Sequence, residues 1–240
     1  MKKLIILLVA ILFLFTACNP GSSEPTDAGD STPTELIKTD GNTPTPSPTE
    51  KPTEEPTEEP AATQVALPVK VAVVVARNGY QEYEFNPVYE ALTVAGYEPV
   101  IVSDQTGTAK GNRESVEIEA IFNDLTGAEL RGIVIIGGEG VTRLWENPDL
   151  HRLINEVDQL QRVVAAICLA PVTLSKSGAI TQGEEACWFN SPASDSEMQK
   201  AGVVDSGKSV TISGNIITGN GPEAAEDFAA SVVAALDDLS

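Results

Sequence analysis

The stretch Val163-Val164-Ala165-Ala166-Ile167-Cys168-Leu169-Ala170-Pro171 decides the fold of this chain. Its first five residues are all apolar, which is typical of a strand that is buried on both faces. A cysteine follows, and Pro171 then stands where the first turn of a helix tolerates proline. We therefore expect Cys168 at the carboxyl end of a parallel strand, where open α/β sheets bind their ligands.

Similar apolar runs alternate with helical patterns on both sides of this stretch. We expect further strands at 71–76, 99–103, 132–136, 209–213 and 216–218, a short edge strand at 116–119, and helices at 85–95, 147–160, 170–177 and 223–239. Gly214-Asn215 is a hairpin turn between two of these strands. The alternation predicts the α/β class, with a doubly wound, mainly parallel sheet and helices on both faces.

The position of Cys168 suggests two roles. Free N–H groups and the dipole at a helix N-terminus favour a thiolate, and a lowered thiol pKa makes a cysteine nucleophilic. The alternative is a buried structural cysteine, which is common in protein cores. The position alone does not separate the two.

The first eighteen residues have the pattern of an export signal. Lys2 and Lys3 precede an apolar run at 4–15, which is too short to span a bilayer and fits the apolar region of a signal peptide. Thr16-Ala17-Cys18 then resembles the lipobox of bacterial lipoproteins. The resemblance implies a signal peptide at 1–17, a lipid on Cys18, and a domain anchored on the extracytoplasmic side of the cell membrane. A plain secretory signal is the alternative.

Residues 18–68 are predicted to be a disordered linker that follows the lipidated cysteine. Positions 19–68 hold ten of the sixteen prolines and ten acidic side chains against two basic ones. Such a composition offers little to bury and favours an extended chain. Residues 69–240 remain as the folded domain.

Composition excludes several functions. The net charge is -20, and residues 69–240 hold twenty-five acidic and eleven basic side chains, so binding of nucleic acid is not expected. The chain has one histidine, His151, and we expect no metal site. Gly138-Glu139-Gly140 lacks the third glycine of a dinucleotide site, and we expect no cofactor. The stretch 202–209 fits the phosphate-loop form GxxxxGK[ST], but a strand follows it where that loop requires a helix.

Several short motifs resemble those of one superfamily. The stretch AAICLAP at 165–171 resembles the AAICxGP elbow of the ThiJ/PfpI superfamily, with Ala170 in place of glycine. The stretches at 79–84, 137–138 and 219–222 resemble its glycine-acid, PGG and GxGP motifs, in the family's order. This group includes PfpI-type proteases and the parkinsonism-associated deglycase. The resemblance covers residues 69–240 and implies a class I glutamine amidotransferase-like, flavodoxin-like sandwich.

The resemblance also implies a set of site residues. Cys168 takes the place of the reactive nucleophile, and Glu84 that of the carboxyl that tunes it. A buried, protonated Glu84 would donate to a thiolate and lower the thiol pKa. The backbone N–H groups of Gly138 and Leu169 would form an oxyanion pocket. Asn190, Ser191 and Asn220 are candidates for the pocket lining. Relatives usually dimerise, so the resemblance implies a homodimer.

The departures from the family argue against a Cys-His protease. Leu169 stands where the protease-like branch has a histidine, and Ser191 where the deglycase branch has one. His151 matches no family histidine and is expected at the surface. Two functions stay open: a cysteine-dependent catalyst or redox protein acting on small electrophiles or oxidants, and a non-catalytic module that binds a ligand or protein. Pairing of Cys168 with Cys187 as a disulfide is a further alternative.

Overall fold

The computed structural model describes residues 67–239, and its elements alternate between strands and helices. The strands are β1 (Lys70–Val74), β2 (Glu98–Ser103), β3 (Gly107–Lys110), β4 (Ser115–Ile118), β5 (Ala120–Ile121), β6 (Gly132–Ile135), β7 (Val163–Ile167), β8 (Glu185–Ala186), β9 (Val204–Asp205), β10 (Val210–Ser213) and β11 (Ile216–Gly219). The helices are α1 (Glu82–Val94), α2 (Pro148–Gln159), α3 (Pro171–Ser177), α4 (Pro192–Ala201) and α5 (Ala225–Asp237).

Seven strands form the central sheet in the order β10-β11-β7-β6-β1-β2-β5. All neighbouring pairs are parallel except β10 with β11. The chain first extends the sheet from β1 to β2 and β5, and then returns to the other side of β1 with β6. The strand order therefore reverses between β1 and β6, and ligands of open α/β sheets bind at the carboxyl ends of the strands beside such a point.

Helices cover both faces of this sheet. Side chains of α1 and α5 pack on the face to which Val71 and Val73 point, and those of α2, α3 and α4 pack on the face of Ala72 and Val74. Every residue of β6 and β7 is buried, which explains their continuous apolar sequences. The predicted α/β class and the mainly parallel sheet are confirmed.

The helix start predicted at 147 and the edge strand predicted at 116–119 have different outcomes in the structure. The helix start predicted at 147 is confirmed, because the side chain of Asn147 accepts the N–H groups of Asp149 and Leu150 at 3.0 and 2.9 Å. The strand predicted at 116–119 is present, but it is not an edge strand of the central sheet. Residues 116–118 belong to β4, which pairs with β3 in a separate two-stranded ribbon, whereas the Glu119 N–H donates to Ile101 O of β2 at 2.9 Å. The edge strands of the central sheet are β5 and β10.

The stretch 202–209 has no phosphate-loop structure. Gly202 ends α4, β9 follows, and the chain then turns into β10 without a helix. This agrees with the context argument made from the sequence.

The predicted signal peptide, the lipidation site Cys18 and most of the linker lie outside the described residues. Within 67–239, none of the helices is both long and apolar enough to span a membrane.

Candidate functional site

Cys168 occupies a sharp turn between β7 and α3. Its φ is +67°, in the left-handed region that residues with side chains seldom adopt. Two hydrogen bonds fix this turn: the Cys168 N–H donates to Gly219 O at 2.9 Å, and the Phe189 N–H donates to Cys168 O at 2.8 Å. Cys168 is only 6% exposed. Strain held at a functional turn in this way is typical of a nucleophile elbow.

Glu84 reaches the cysteine from the first turn of α1. It is fully buried, and its Oε2 accepts the Gly137 N–H at 2.9 Å. Its other oxygen, Oε1, has no hydrogen-bond partner of good geometry among the described residues. The Cys168 thiol lies within reach of the same carboxyl and interacts with it. The Glu84 carboxyl is therefore an acceptor available to a proton from the thiol.

Burial governs the protonation of this pair. Loss of hydration raises the pKa of Glu84 to about 7, although hydrogen bonds from Cys168 and from the Gly137 N–H act in the opposite direction. Burial also raises the pKa of the Cys168 thiol, and the negative charge of Glu84 adds to this, to about 12. At pH 7 the thiol is thus protonated and the carboxyl is close to its midpoint.

The direction in which the thiol pKa is shifted differs from the one expected from the sequence. A helix N-terminus and a protonated Glu84 were expected to lower the thiol pKa. In the structure burial and the Glu84 charge outweigh the N–H groups of Gly138 and Leu169, which do act on the sulfur and lower its pKa. The arrangement instead places a protonated thiol beside a base whose pKa is close to neutral, which suits general base catalysis.

Glycines 137 and 138 allow the loop after β6 to approach the cysteine. A Cβ on Gly137 would lie 2.5 Å from Cys168 Cβ and 2.7 Å from Glu84 Oε2. A Cβ on Gly138, whose φ is +100°, would lie 2.3 Å from Gly79 O. Both positions therefore require glycine for the loop to bring its N–H groups to the carboxyl and the sulfur.

Cys168 opens into a cavity of about 330 Å³. Its lining includes Leu169, Gly138, Tyr80, Asn112 and Phe189. A neighbouring cavity of about 500 Å³ shares Phe189 and Pro222 with it and is also lined by Trp188, Asn190 and Asn220. Phe189 is 46% exposed and stands at the junction of the two cavities. The cysteine therefore faces a pocket that continues into an aromatic-lined cleft.

The proposed lining residues are not all in one place. Asn190 and Asn220 line the neighbouring cavity rather than the cysteine pocket. Ser191 lines neither of these two cavities, because it is the N-cap of α4: its Oγ accepts the Ser194 N–H at 3.2 Å. The Ser191-Pro192 pair, a cap followed by a first-turn proline, was the sequence signal for this role.

Asn112 belongs to the pocket but was missed in the sequence. It lies between β3 and β4, and Glu82 holds this segment in place. The buried Glu82 carboxylate accepts the N–H groups of Asn112 at 3.2 Å and Arg113 at 2.8 Å. Burial raises the pKa of Glu82, but these backbone donors prevail and the net pKa is lowered. No local pattern indicates a contact between residues thirty positions apart.

The single histidine supports the elbow indirectly. His151 is half-buried rather than at the surface, and its Nε2 lies 2.7 Å from Trp145 O. The Trp145 indole N–H donates to Leu169 O at 2.9 Å. The expectation of a surface histidine was wrong, because the first turns of α2 pack His151 against Trp145. Its contact is structural, and it does not line the cysteine pocket.

The two buried cysteines are both free, so the structure does not contain the disulfide that the sequence left open. Cys187 Sγ donates to Thr218 O at 3.1 Å on β11. It is 1% exposed, whereas Cys168 lines a cavity. Cys187 therefore provides an internal reference for the reactivity of Cys168.

Comparisons with known proteins find one family model and several similar chains. The model of the DJ-1/PfpI family matches residues 69–235. An uncharacterised protein of Methanocaldococcus jannaschii is 31% identical over 170 residues, which cover 70% of this chain and 82% of that protein. Drosophila melanogaster protein dj-1beta is 26% identical over 166 residues, covering 68% and 87% of the two chains.

Solved structures share the fold. The crystal structure of a ThiJ/PfpI domain protein from Brachyspira murdochii has a TM-score of 0.69 and 26% identity, and the match covers 73% of this chain and 100% of that one. Drosophila melanogaster DJ-1beta has a TM-score of 0.62 and 25% identity, with 71% and 91% covered. The expected resemblance is confirmed.

Proposed function

The chain belongs to the DJ-1/PfpI family, and from that premise we propose that it is a thiol-dependent protein whose Cys168 adds to small electrophiles, with Glu84 as its base. The observation that carries the proposal is the buried Glu84 carboxyl, with a pKa of about 7, beside a protonated thiol that faces a cavity. A base with this pKa is half ionised at neutral pH, which is favourable for proton transfer.

The reaction that best fits these groups is addition of the thiol to an aldehyde. As the bond between Sγ and the carbonyl carbon forms, the thiol proton passes to Glu84 and the π electron pair moves to the carbonyl oxygen. Glu84 then returns the proton to that oxygen, and the product is a hemithioacetal. The N–H groups of Gly138 and Leu169 stabilise the negative charge that develops at the reacting atoms. The step consumes no oxidant and no second reactant.

The pocket suggests what the electrophile carries. Phe189 lies between the cysteine cavity and the cleft lined by Trp188 and Pro222. A small carbonyl compound with an apolar or aromatic substituent could place the carbonyl at Cys168 and the substituent against Phe189. A Cys-His protease is not proposed, because no histidine lines the cysteine pocket among the described residues.

Protection of Cys168 from alkylation tests this function. The full-length chain is treated with iodoacetamide in the presence of increasing acetaldehyde or benzaldehyde, and labelling of each cysteine is followed by peptide mass spectrometry. We expect saturable protection of Cys168, at lower concentrations of benzaldehyde than of acetaldehyde, and no aldehyde-dependent change at Cys187. An alkylation rate of Cys168 that neither aldehyde changes would contradict the proposal.

That negative result would favour a second candidate, a non-catalytic ligand-binding module. The raised pKa of the Cys168 thiol is the observation in its favour, since a protonated thiol is a poor nucleophile without a working base. In that case the cavity and cleft bind a ligand without forming a covalent bond, and Cys168 is only one of the residues that line the cavity.

The proposal also includes a tether. The lipobox-like Thr16-Ala17-Cys18 and the proline-rich, acidic stretch at 19–68 support a domain held outside the cytoplasmic membrane by lipid on Cys18. We expect the full-length chain, expressed in a bacterium, in the membrane fraction, and Cys18→Ser in the soluble fraction or retained as an unprocessed precursor. Equal processing and equal partition of the two chains would exclude lipid anchoring at Cys18.

A further inference from the structure

A second cavity opens at the same edge of the sheet as the cysteine pocket. Its volume is about 320 Å³, and its walls come from β3 and from the segments that follow β1, β2 and β6, beside the point where the strand order reverses. The charged and polar residues in its lining are Arg77, Lys110, Arg143, Asp104, Asn78, Gln105 and Thr108. None of them belongs to the cysteine pocket.

The charge of this cavity is opposite to that of the domain. Residues 69–240 hold eleven basic side chains against twenty-five acidic ones, yet three of the eleven line this cavity together with a single acid. In the part of the chain that the structure describes, no carboxylate oxygen lies within ion-pair distance of these three cations. Three cations with no ion-pair partner repel one another, and an anion bound between them reduces that repulsion.

The backbone fixes two of the cations in register. The Lys110 N–H donates to Arg77 O at 2.9 Å, and the Gly79 N–H donates to Lys110 O at 2.7 Å. The guanidinium of Arg77 donates to Gln105 Oε1 at 2.5 Å, which orients it and leaves its other N–H groups available. A guanidinium and an ammonium held at one opening are the side chains that bind phosphate and carboxylate oxygens most strongly.

We propose that this cavity binds a small metabolite through an oxyanion group, either a phosphate ester or a carboxylate. Arg77, Lys110 and Arg143 contact the oxyanion, and Asp104 and Gln105 face hydroxyl or amino groups on the rest of the molecule. The volume is at the lower end of the range for small-molecule sites, which is roughly 300–1,000 Å³. The loop at 78–79 separates this ligand from the cysteine. A hydrogen bond from the Gly140 N–H to Gly79 O, at 3.1 Å, holds this loop against the segment after β6.

The test is calorimetric titration of the full-length chain with inorganic phosphate and with malonate, at constant ionic strength. We expect saturable binding of at least one probe. Arg143→Gln and Lys110→Gln should each weaken it about fivefold or more, because each removes one charged donor. Asp104→Asn should strengthen binding about twofold, because it removes the one negative charge in the lining, which repels the anionic probe. Lys208→Gln, which removes an exposed lysine outside the cavity, should bind as the wild type does.

The outcomes distinguish a phosphate ester from a carboxylate, and they also include results that overturn the proposal. Binding of phosphate alone assigns a phosphate ester, binding of malonate alone assigns a carboxylate, and binding of both supports the shared chemistry. No saturable binding of either probe overturns the proposal, as does binding that Arg143→Gln and Lys208→Gln weaken equally. Calorimetric binding of these anions does not involve Cys168. A failure of the oxyanion proposal would therefore leave the proposed thiol chemistry unaffected, and a failure of the thiol chemistry would leave the oxyanion proposal unaffected.

Discussion

Replacement of Gly137 by alanine is expected to destabilise the domain by about 2–3 kcal/mol and to slow alkylation of Cys168 more than tenfold. The added Cβ would stand 2.5 Å from Cys168 Cβ, 2.7 Å from Glu84 Oε2 and 2.8 Å from Ile167 O. One of these contacts is with the backbone of a fully buried strand, so the loop cannot relax without moving either the elbow or the carboxyl. Urea unfolding and iodoacetamide kinetics measure the two effects.

Gly214→Ala is the matched control for this substitution. A Cβ on Gly214 meets no atom within 4 Å, and its φ of +60° should cost only about 1–2 kcal/mol. We expect this variant to alkylate Cys168 at the wild-type rate. A Gly137→Ala chain with wild-type stability and wild-type alkylation would show that the loop, the carboxyl and the cysteine are not packed as described.

The second large effect is expected for Glu84→Gln, which should alkylate Cys168 about a hundredfold more slowly than the wild type at about pH 7.5, a loss typical of removing a general base. The amide keeps the size of the side chain and can still accept the Gly137 N–H, but it cannot take up the thiol proton. Glu90→Gln on the exposed side of the same helix removes the same charge and should leave the rate unchanged.

The opposite result has a clear physical meaning. The charge of Glu84 raises the pKa of the Cys168 thiol, so its removal alone would lower that pKa and increase the thiolate fraction. Faster alkylation in Glu84→Gln than in the wild type would therefore show that the carboxylate only opposes ionisation. The thiol chemistry proposed for this site would then be wrong.

Features encoded in continuous sequence were predictable. The five apolar residues of β7, the cysteine that ends them and the helix after it follow from burial and periodicity over a single stretch, and the structure has all three. Gly137 and Gly138 were recognised from a motif, and their role follows from the clash that any Cβ would create. The family and its fold were accessible from these same motifs.

Features that depend on distant packing were not predictable. The raised pKa of Glu84 results from the burial of α1 against the sheet, which no local pattern reports. Asn112 reaches the pocket because Glu82 binds the segment between β3 and β4. The alternation at 116–119 indicated a strand correctly but could not identify its partner. The oxyanion cavity combines residues of β3 with residues from three separate loops, and only folding brings Arg77 and Arg143 together.

The central claim is that Glu84, with a pKa of about 7, is the base that activates a protonated Cys168. It is tested most directly by the alkylation rate of Cys168 in the wild-type chain as a function of pH. The account predicts that the rate rises as Glu84 loses its proton, with a midpoint near pH 7, and then reaches a plateau. A rate that continues to rise about tenfold per pH unit beyond pH 9, with no step near 7, would report ionisation of the thiol alone and contradict the account.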